Sequence, residues 1–402
     1  MWAAKYIQVA QLNPQNLHKK IEDNIVKLKD LFADHVFSLT GDSLEGFGSL
    51  NEKLSWMLFV DGCSLLHILE NADFNEPELM NIKLDQLIPV IMDVLLLENQ
   101  LPYLVLKLLW KNENETELID TMLYFLRNHH WAPDNWRDCS SESTSISCIE
   151  EIAEPNKMKK EGESVGISIS NESELNHPPT HLLDLQRRSI IKSPSKTKGN
   201  VANNKKQGSK KSEGRTKMMT YRNIQDLRAA GIRLKSSGTR TISDIDFSEG
   251  WFAAQLTLPL LVVDLTTAAF FLNLIAYEMC PDFKNDYEIC SFAAFMDSLI
   301  DHPEDVKELR SNGILLNSLG SDEEVAALFN IINADVVPNI EIYFEVRSKI
   351  HKHYCNTYKS WIATGCHTYF NNPWAFIAFL AAFIALALTF VQTWFAINPA
   401  DK

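Results

Sequence analysis

Residues 87–110 read LIPVIMDVLLLENQLPYLVLKLLW, and their composition determines how the N-terminal half folds. The stretch is too apolar for a helix on a protein surface, yet Asp93 and Lys107 interrupt it below the length of a membrane span. Pro89 and Pro102 are expected to bend or end the helices near them. Residues 54–69, LSWMLFVDGCSLLHIL, have the same character. The two stretches therefore predict helices that are buried on most sides.

The remainder of the chain divides by composition into regions of different kinds. Taken together they predict a mainly α fold with two helical lobes, a disordered basic linker and one C-terminal transmembrane helix. In chain order we expect a helical N-lobe (1–138) and a polar, lysine-rich linker (139–216) with a short helix near 181–191. An α+β C-lobe with a juxtamembrane helix (217–372), the transmembrane helix (373–397) and a short tail (398–402) follow.

The second lobe carries short apolar runs at 232–235, 242–247 and 256–263, separated by glycines. Runs of this length between turn residues are typical of strands, and we expect a small antiparallel sheet. Helices then follow with clear start signals, such as Ser321 with Glu324 three residues later, which is a capping box.

Charge is distributed unevenly along the chain. The formal net charge of −14 argues against nucleic acid as a partner. Residues 187–217 hold eleven Lys or Arg and one acid, so the rest of the protein carries −24. Three interpretations of this basic segment stay open: it folds back on the acidic lobes, it contacts anionic lipid, or it is solvated. Ser193, which precedes Pro194 among lysines, is a candidate phosphorylation site.

The C-terminal region contains 24 uncharged residues, 374–397. Trp374 and Trp394 lie twenty positions apart, which is roughly 30 Å along a helix and matches the hydrocarbon thickness of a bilayer. Interfacial tryptophans are typical of membrane spans. We predict a single-pass membrane anchor with Trp374 and Trp394 at the two interfaces and lipid as its partner; the alternative is a buried core helix.

The rest of the protein is expected on the cytosolic side. The N-terminus lacks the apolar core of a secretory signal, and so few residues follow the span that it would insert after synthesis. Seven cysteines, without metal-ligand spacing, fit reduced thiols. Asn114 and Asn171 begin glycosylation sequons that matter only if the body is lumenal.

The sequence offers no coherent catalytic, cofactor or metal site. A GxSxG match at Gly162 falls in the polar linker without the strand and helix that the motif needs. The pairs His129/His130 and His351/His353 lack the spacing of metal ligands, which predicts surface or juxtamembrane histidines. Asp93 and Glu98 are five residues apart on an apolar stretch, where a buried acid with a backbone or basic partner is the plainer interpretation.

Nine blocks, in this order, are similar to a known family. They are FVDGCSLLHIL (59–69), DVLLLENQLPYLVLKLLW (93–110), HLLDLQRR (181–188), LRAAGIRLK (227–235), LTLPLLVVD (256–264), FLNLIAYEMC (271–280), FMDSLIDHPEDVKELRSNGI (295–314), LGSDEEVAALFN (319–330) and YFNNPWAFIAFLAAFIALALTFVQT (369–393).

The chain resembles the plant family named domain of unknown function 247, also called uncharacterised protein family 0481. The resemblance implies a mostly helical plant protein with a C-terminal membrane helix and no established activity. Some members sit at self-incompatibility loci of grasses, which suggests recognition between proteins by analogy. Residues 1–54 differ from the usual opening block of the family, which contains a YxPxxVSIGPYHHG-like stretch.

These observations predict a membrane-anchored, non-enzymatic protein-interaction module whose protein partner is unknown. One alternative is an enzyme whose site assembles only in three dimensions, from Asp93, Glu98, His67 or Glu278 in one deep pocket. A second alternative, raised by the unusual opening segment, is a truncated paralogue without function.

Overall fold

The computed structural model describes residues 1–32, 46–129, 178–191, 223–250, 254–283, 287–333, 336–354 and 373–397. It forms two compact units, Met1–Lys196 and Thr197–Lys402. The protein is mainly helical, as predicted. The predicted linker lies outside the described residues except for 178–191, which belong to the first unit.

The first unit is built from helices. In chain order they are α1 (Trp2–Val9), α2 (Pro14–Asp23), α3 (Ile25–Lys29), α4 (Leu50–Asn71), α5 (Leu84–Asp93), α6 (Tyr103–Leu109), α7 (Glu115–His129) and α8 (Leu182–Ile191). Short 3₁₀ turns at Pro77–Met80 and Leu97–Asn99 flank α5.

Helix α4 is the centre of the first unit, and α1, α2, α6 and α7 pack around it. Its Cys63 and Leu66 are fully buried. Gly62 lets α6 approach closely, because a Cβ at this position would lie 2.5 Å from Leu109 Cδ1. The hydroxyl of Tyr6 on α1 donates to the Leu109 carbonyl at 3.1 Å. The stretch 54–69 and helix α6 are largely buried, as their composition predicts. The prediction is wrong for α5, which buries only Leu87 and Ile91 and exposes Ile88.

The second unit combines helices with two small sheets. Its elements are α9 (Ile224–Ala229), β1 (Ile232–Ser236), β2 (Asp246–Glu249), β3 (Ala254–Leu258), β4 (Leu261–Val263), α10 (Thr267–Glu278), α11 (Glu288–Asp297), α12 (Pro303–Ser311), β5 (Leu315–Asn317), α13 (Asp322–Ile332), α14 (Phe344–Tyr354) and α15 (Pro373–Ile397).

The expectation of one antiparallel sheet is wrong. The first sheet has the order β1-β3-β2, with β1 parallel and β2 antiparallel to β3. Pro259 follows β3 and lacks the N–H that would continue its ladder, so the apolar run 256–263 divides there. Its second part, β4, pairs in parallel with β5, a strand that the sequence analysis did not anticipate.

Two helices of the second unit, α12 and α13, begin at the residues that the sequence predicts. The Ser321 side chain accepts a hydrogen bond from the Glu324 N–H at 3.1 Å and caps α13. Pro303 opens α12, and Gly313 follows its end with a φ of +64°. These ends are fixed by interactions within a few residues, which is why sequence alone predicts them.

Candidate functional site

The turn between α5 and α6 is organised by the side chain of Gln100. Its Nε2 donates to the carbonyls of Val94 and Leu96, both at 2.9 Å. Its Oε1 accepts from the backbone N–H of Leu183 at 2.9 Å. The neighbouring Asn99 donates to the Asp93 carbonyl at 3.0 Å. The LLENQLP run, residues 96–102, is therefore a turn in which amide side chains add to the backbone hydrogen bonds, since the carbonyls of Asp93 and Leu96 also accept from the N–H groups of Leu96 and Asn99.

The segment 180–188 docks on this turn. The Tyr103 N–H at the start of α6 donates to the Thr180 carbonyl at 2.8 Å. Asp184 is buried, accepts from the Thr180 N–H at 2.9 Å and pairs with Arg188 Nη2 at 2.6 Å. Hydrogen bonds thus join two of the sequence blocks quoted above, DVLLLENQLPYLVLKLLW (93–110) and HLLDLQRR (181–188). The hydrogen bond between Gln100 and Leu183 involves no titratable side chain. For this reason, sequence patterns of reactive residues do not reveal it.

Beside this turn lies an open groove of about 540 Å³, lined by α1, α4, α5 and the turn itself. Most of its lining is apolar, for example Leu58 and Ile68. Three carboxylates also line it: Asp61, Asp93 and Glu98. We call this surface the acidic groove. Among the described residues that line it, none is basic.

Two of the three acids of the groove, Asp61 and Asp93, lie in places that disfavour a negative charge. Asp61 keeps contact with solvent, but its partial burial in the groove raises the pKa of its carboxyl. Asp93 is the last residue of α5, where the helix dipole disfavours a negative charge. Asp93 and Glu98 are exposed, not buried as the sequence suggested. Within the described ranges, no hydrogen bond joins the three carboxyl groups to one another or to a basic side chain.

The other two residues considered for catalysis do not join the groove. His67 is buried, makes a 3.1 Å hydrogen bond with Asn71, and burial lowers its pKa. Glu278, in the second unit, is fully buried and accepts from the N–H groups of Ile289 and Cys290 at 3.0 and 2.9 Å. It is a cap for the first turn of α11, and this contact accounts for a buried carboxylate.

The prediction of surface or juxtamembrane histidines is wrong for His353, which is buried, whereas His129 and His351 are half-buried. His129 lies 2.8 Å from the Ala72 carbonyl, and buried His353 lies 3.3 Å from the Ala230 carbonyl. Of the residues whose positions are given, no group of three His, Cys, Asp or Glu could hold a metal ion. Cys63, Cys280 and Cys290 are free thiols.

Helix α15 is the most apolar of the described helices. Its window Ile377–Trp394 has a mean hydropathy of 2.0, and none of it is buried against the rest of the protein. Trp394 is 58% exposed. Thr389 and Thr393 donate their hydroxyls to the carbonyls of Ala385 and Thr389, at 2.7 and 2.8 Å, so both hydroxyls are satisfied within the helix. The helix is long and apolar enough to cross a membrane. The side chain of Trp374, and Ser193 as a whole, lie outside the described residues.

Comparison with known proteins identifies the family of this chain. The model of the family DUF247, described as a plant protein of unknown function, matches residues 1–388. This chain belongs to the DUF247 family. The match begins at residue 1 and so includes residues 1–54.

Two Arabidopsis thaliana proteins are similar to this DUF247 chain. UPF0481 protein At3g47200 is 26% identical over 94% of this chain and 75% of its own length. Putative UPF0481 protein At3g02645 is 28% identical over 43% of this chain and 32% of its own length. No solved structure matches the chain at a significant level. The DUF247 assignment agrees with the resemblance found in the sequence. The description of the family names no activity.

Proposed function

We propose that this DUF247 protein is anchored in a membrane by α15 and acts as a non-enzymatic module that recognises another protein. The observation that carries the proposal is the apolar surface of Ile377–Trp394, none of which is buried. In water such a surface is costly, because each Å² of exposed apolar area costs about 25 cal/mol. In lipid the same surface is at its most stable.

The length of the helix supports a span. The window of 18 residues is about 27 Å long and the whole helix of 25 residues about 37 Å. The hydrocarbon core of a bilayer is about 30 Å thick, so the helix fits it with some tilt. Trp394 lies at one end of the window, where interfacial aromatics occur.

The positions of the four residues considered for catalysis support a role in binding over a role in catalysis. An acyl-transfer or hydrolytic site needs a nucleophile within hydrogen-bond reach of its base. Asp93 and Glu98 share the acidic groove, whereas His67 is hydrogen-bonded to Asn71 and Glu278 caps α11. The alternative of an enzyme therefore lacks the convergence that it predicted for these four residues.

Alkaline carbonate extraction of microsomes tests the anchor. We expect the full-length chain to stay with the membranes after extraction. The double variant Phe383→Arg/Leu386→Arg places two charges in the middle of α15, at a cost of about 2.5–3.5 kcal/mol each, and should be released. The matched control Val337→Arg/Ile340→Arg changes two exposed apolar residues outside the helix and should be retained. Release of the wild-type chain would contradict the anchor.

Proximity labelling tests the recognition role. A labelling enzyme fused to the full-length chain is compared with the same enzyme fused to residues 373–397 alone. We expect a set of labelled proteins that depends on the body. Identical sets from the two fusions, together with turnover of a small molecule by the purified protein, would argue for the enzymatic alternative.

A further inference from the structure

Three large apolar side chains at the start of α14 are exposed to solvent. Val337, Ile340 and Phe344 are 62%, 72% and 56% exposed. Single exposed apolar residues are ordinary on a protein surface, whereas several within one short segment mark a place where the protein contacts something else. We call these three residues the apolar patch.

The backbone around the apolar patch is held by contacts with the body of the second unit. The Asn339 N–H donates to the hydroxyl oxygen of Ser291 at 2.9 Å. Tyr343 is buried, and its hydroxyl donates to the Ile242 carbonyl at 3.0 Å. Because these inward contacts orient the turn before α14, the exposure of its apolar neighbours is a fixed feature of the fold.

Helix α14 continues this surface and adds a positive charge. Four exposed residues follow one another at intervals of four positions: Ile340, Phe344, Ser348 and Lys352. Residues four apart share one face of a helix, so the last three lie along one exposed face of α14. A lysine at the end of such a face reaches lipid headgroups with its ammonium group, while the apolar side chains enter the acyl region.

Positive charge is concentrated between the apolar patch and α15. Residues 346–372 hold four Lys or Arg and no acid. Residues 254–333, in the same unit, hold thirteen Asp or Glu and three Lys or Arg. Anionic lipid headgroups therefore attract the first segment and repel the second.

The apolar patch is also close to α15 along the chain. Eighteen residues separate Tyr354, the last residue of α14, from Pro373, and they span at most about 60 Å when extended. Once α15 is in a bilayer, contact between α14 and the same bilayer is intramolecular. A surface that binds lipid weakly by itself is then occupied, which favours lipid over a separate protein as the occupant of the patch.

We propose that the apolar patch and Lys352 form a second membrane contact, which lays α14 on an anionic lipid surface beside the anchor. The inference rests on the membrane anchor of the proposed function and deepens it, because it states which side of the second unit faces the bilayer. A second copy of the chain on the patch becomes an outcome of the test.

A photoreactive lipid tests the contact in the full-length chain. The protein is reconstituted in vesicles of phosphatidylcholine and phosphatidylserine that contain a phospholipid with a photoreactive acyl chain, and mass spectrometry maps the labelled residues. We expect label on α15 and on the apolar patch. In vesicles of phosphatidylcholine alone, label on the patch should fall at least three-fold, whereas label on α15 should stay the same.

Leu316 is an internal control for this labelling. It is 52% exposed, and it lies in the same tryptic peptide as the apolar patch, because no Lys or Arg occurs between Arg310 and Arg347. Recovery of the peptide is therefore identical for the two positions. Label on the patch should exceed label on Leu316 at least five-fold in the anionic vesicles.

A pair of matched variants tests the surface itself. Ile340→Ser/Phe344→Ser removes two apolar side chains of the patch, and label on the remaining residues of 337–352 should fall at least three-fold. Leu265→Ser/Leu316→Ser changes two other exposed apolar residues and should leave that label unchanged. Both variants should withstand carbonate extraction, because α15 holds the chain in the bilayer. Thermal unfolding of the two variants establishes that they are folded.

The outcomes separate this inference from the anchor. Label on α15 with no more label on the patch than on Leu316 would overturn the second contact and leave the anchor standing. Label on neither segment would contradict both, and label on the patch alone would support the lipid contact and contradict the anchor. Equal label on the patch in neutral and anionic vesicles, or cross-links that join the patches of two chains, would also overturn the proposal.

Discussion

The side-chain oxygen of Gln100 accepts a hydrogen bond at 2.9 Å from the backbone N–H of Leu183, 83 residues further along the chain. The nitrogen of the same amide donates to the carbonyls of Val94 and Leu96. One neutral side chain therefore closes the turn before α6 and holds the start of α8. This geometry explains physically why a glutamine occupies that place in the LLENQLP run.

Replacing Gln100 by alanine should destabilise the first unit. The variant Gln100→Ala removes the side-chain partner of the Val94 carbonyl and of the Leu183 N–H, and it removes one of the two donors to the Leu96 carbonyl, which keeps the Asn99 N–H. We expect the free energy of unfolding to fall by about 1–3 kcal/mol. Hydrogen exchange at the Leu183 amide should accelerate by at least ten-fold. The exposed Gln15 provides the control, since Gln15→Ala should change stability by less than about 0.5 kcal/mol. Unchanged protection of Leu183 in Gln100→Ala would show that the bond is unimportant.

Glu278 should matter for stability rather than for chemistry. Glu278→Ala removes the acceptor of the buried N–H groups of Ile289 and Cys290, and should cost about 2–4 kcal/mol in urea unfolding. Glu278→Gln keeps one acceptor and should cost less. Glu323→Ala, at an exposed position in the first turn of α13, serves as the comparison and should cost a few tenths of a kcal/mol. Equal stability of Glu278→Ala and the wild type would refute the capping role.

The raised pKa of Asp61 predicts how the free energy of unfolding depends on pH. Partial burial raises its folded-state pKa above that of the unfolded chain, so the folded state binds the proton more tightly. Ionisation of Asp61 therefore costs stability, and this cost appears as the pH rises from the ordinary pKa through the raised one. We expect Asp61→Asn to be more stable than the wild type at pH 7 and the difference to vanish in acid. Glu76→Gln, with the same charge change, is the control; a less stable Asp61→Asn at pH 7 would be the contrary result.

Gly62 is predicted to be a contact point between α4 and α6. A Cβ there would lie 2.5 Å from Leu109 Cδ1 and 2.9 Å from Val105 Cγ1. Gly62→Ala should therefore lower stability by about 1–2 kcal/mol although alanine favours helix. The double variant Gly62→Ala/Leu109→Ala should recover part of the loss expected from the two single changes. Additive effects in this double-mutant cycle would mean that the two positions do not touch.

Sequence patterns predicted the structure correctly where it depends on residues that are close together in the chain. The capping residues Ser321 and Pro303 act within one helical turn, and the apolar composition of 54–69 required burial without any partner being known. The same local reasoning located the apolar C-terminal helix, because hydropathy and length are properties of the segment itself.

Patterns failed where distant residues meet. The register of β1 against β3, and of β4 against β5, joins segments that are separated by other elements. Alternating or apolar runs identify strands without naming their neighbours, so the parallel pairs were missed. The acidic groove was missed for the same reason: Asp61 and Asp93 belong to different helices, and only the folded chain brings them to one surface.

A glycosylation tag added after Lys402 tests the central claim, that α15 spans a membrane with the body on the cytosolic side. Only sites in the lumen are glycosylated. The account predicts that the tag is modified in microsomes of the full-length chain, whereas the native sequon at Asn114 is not. An unmodified tag together with release of the chain by carbonate, or a modified Asn114, would contradict it.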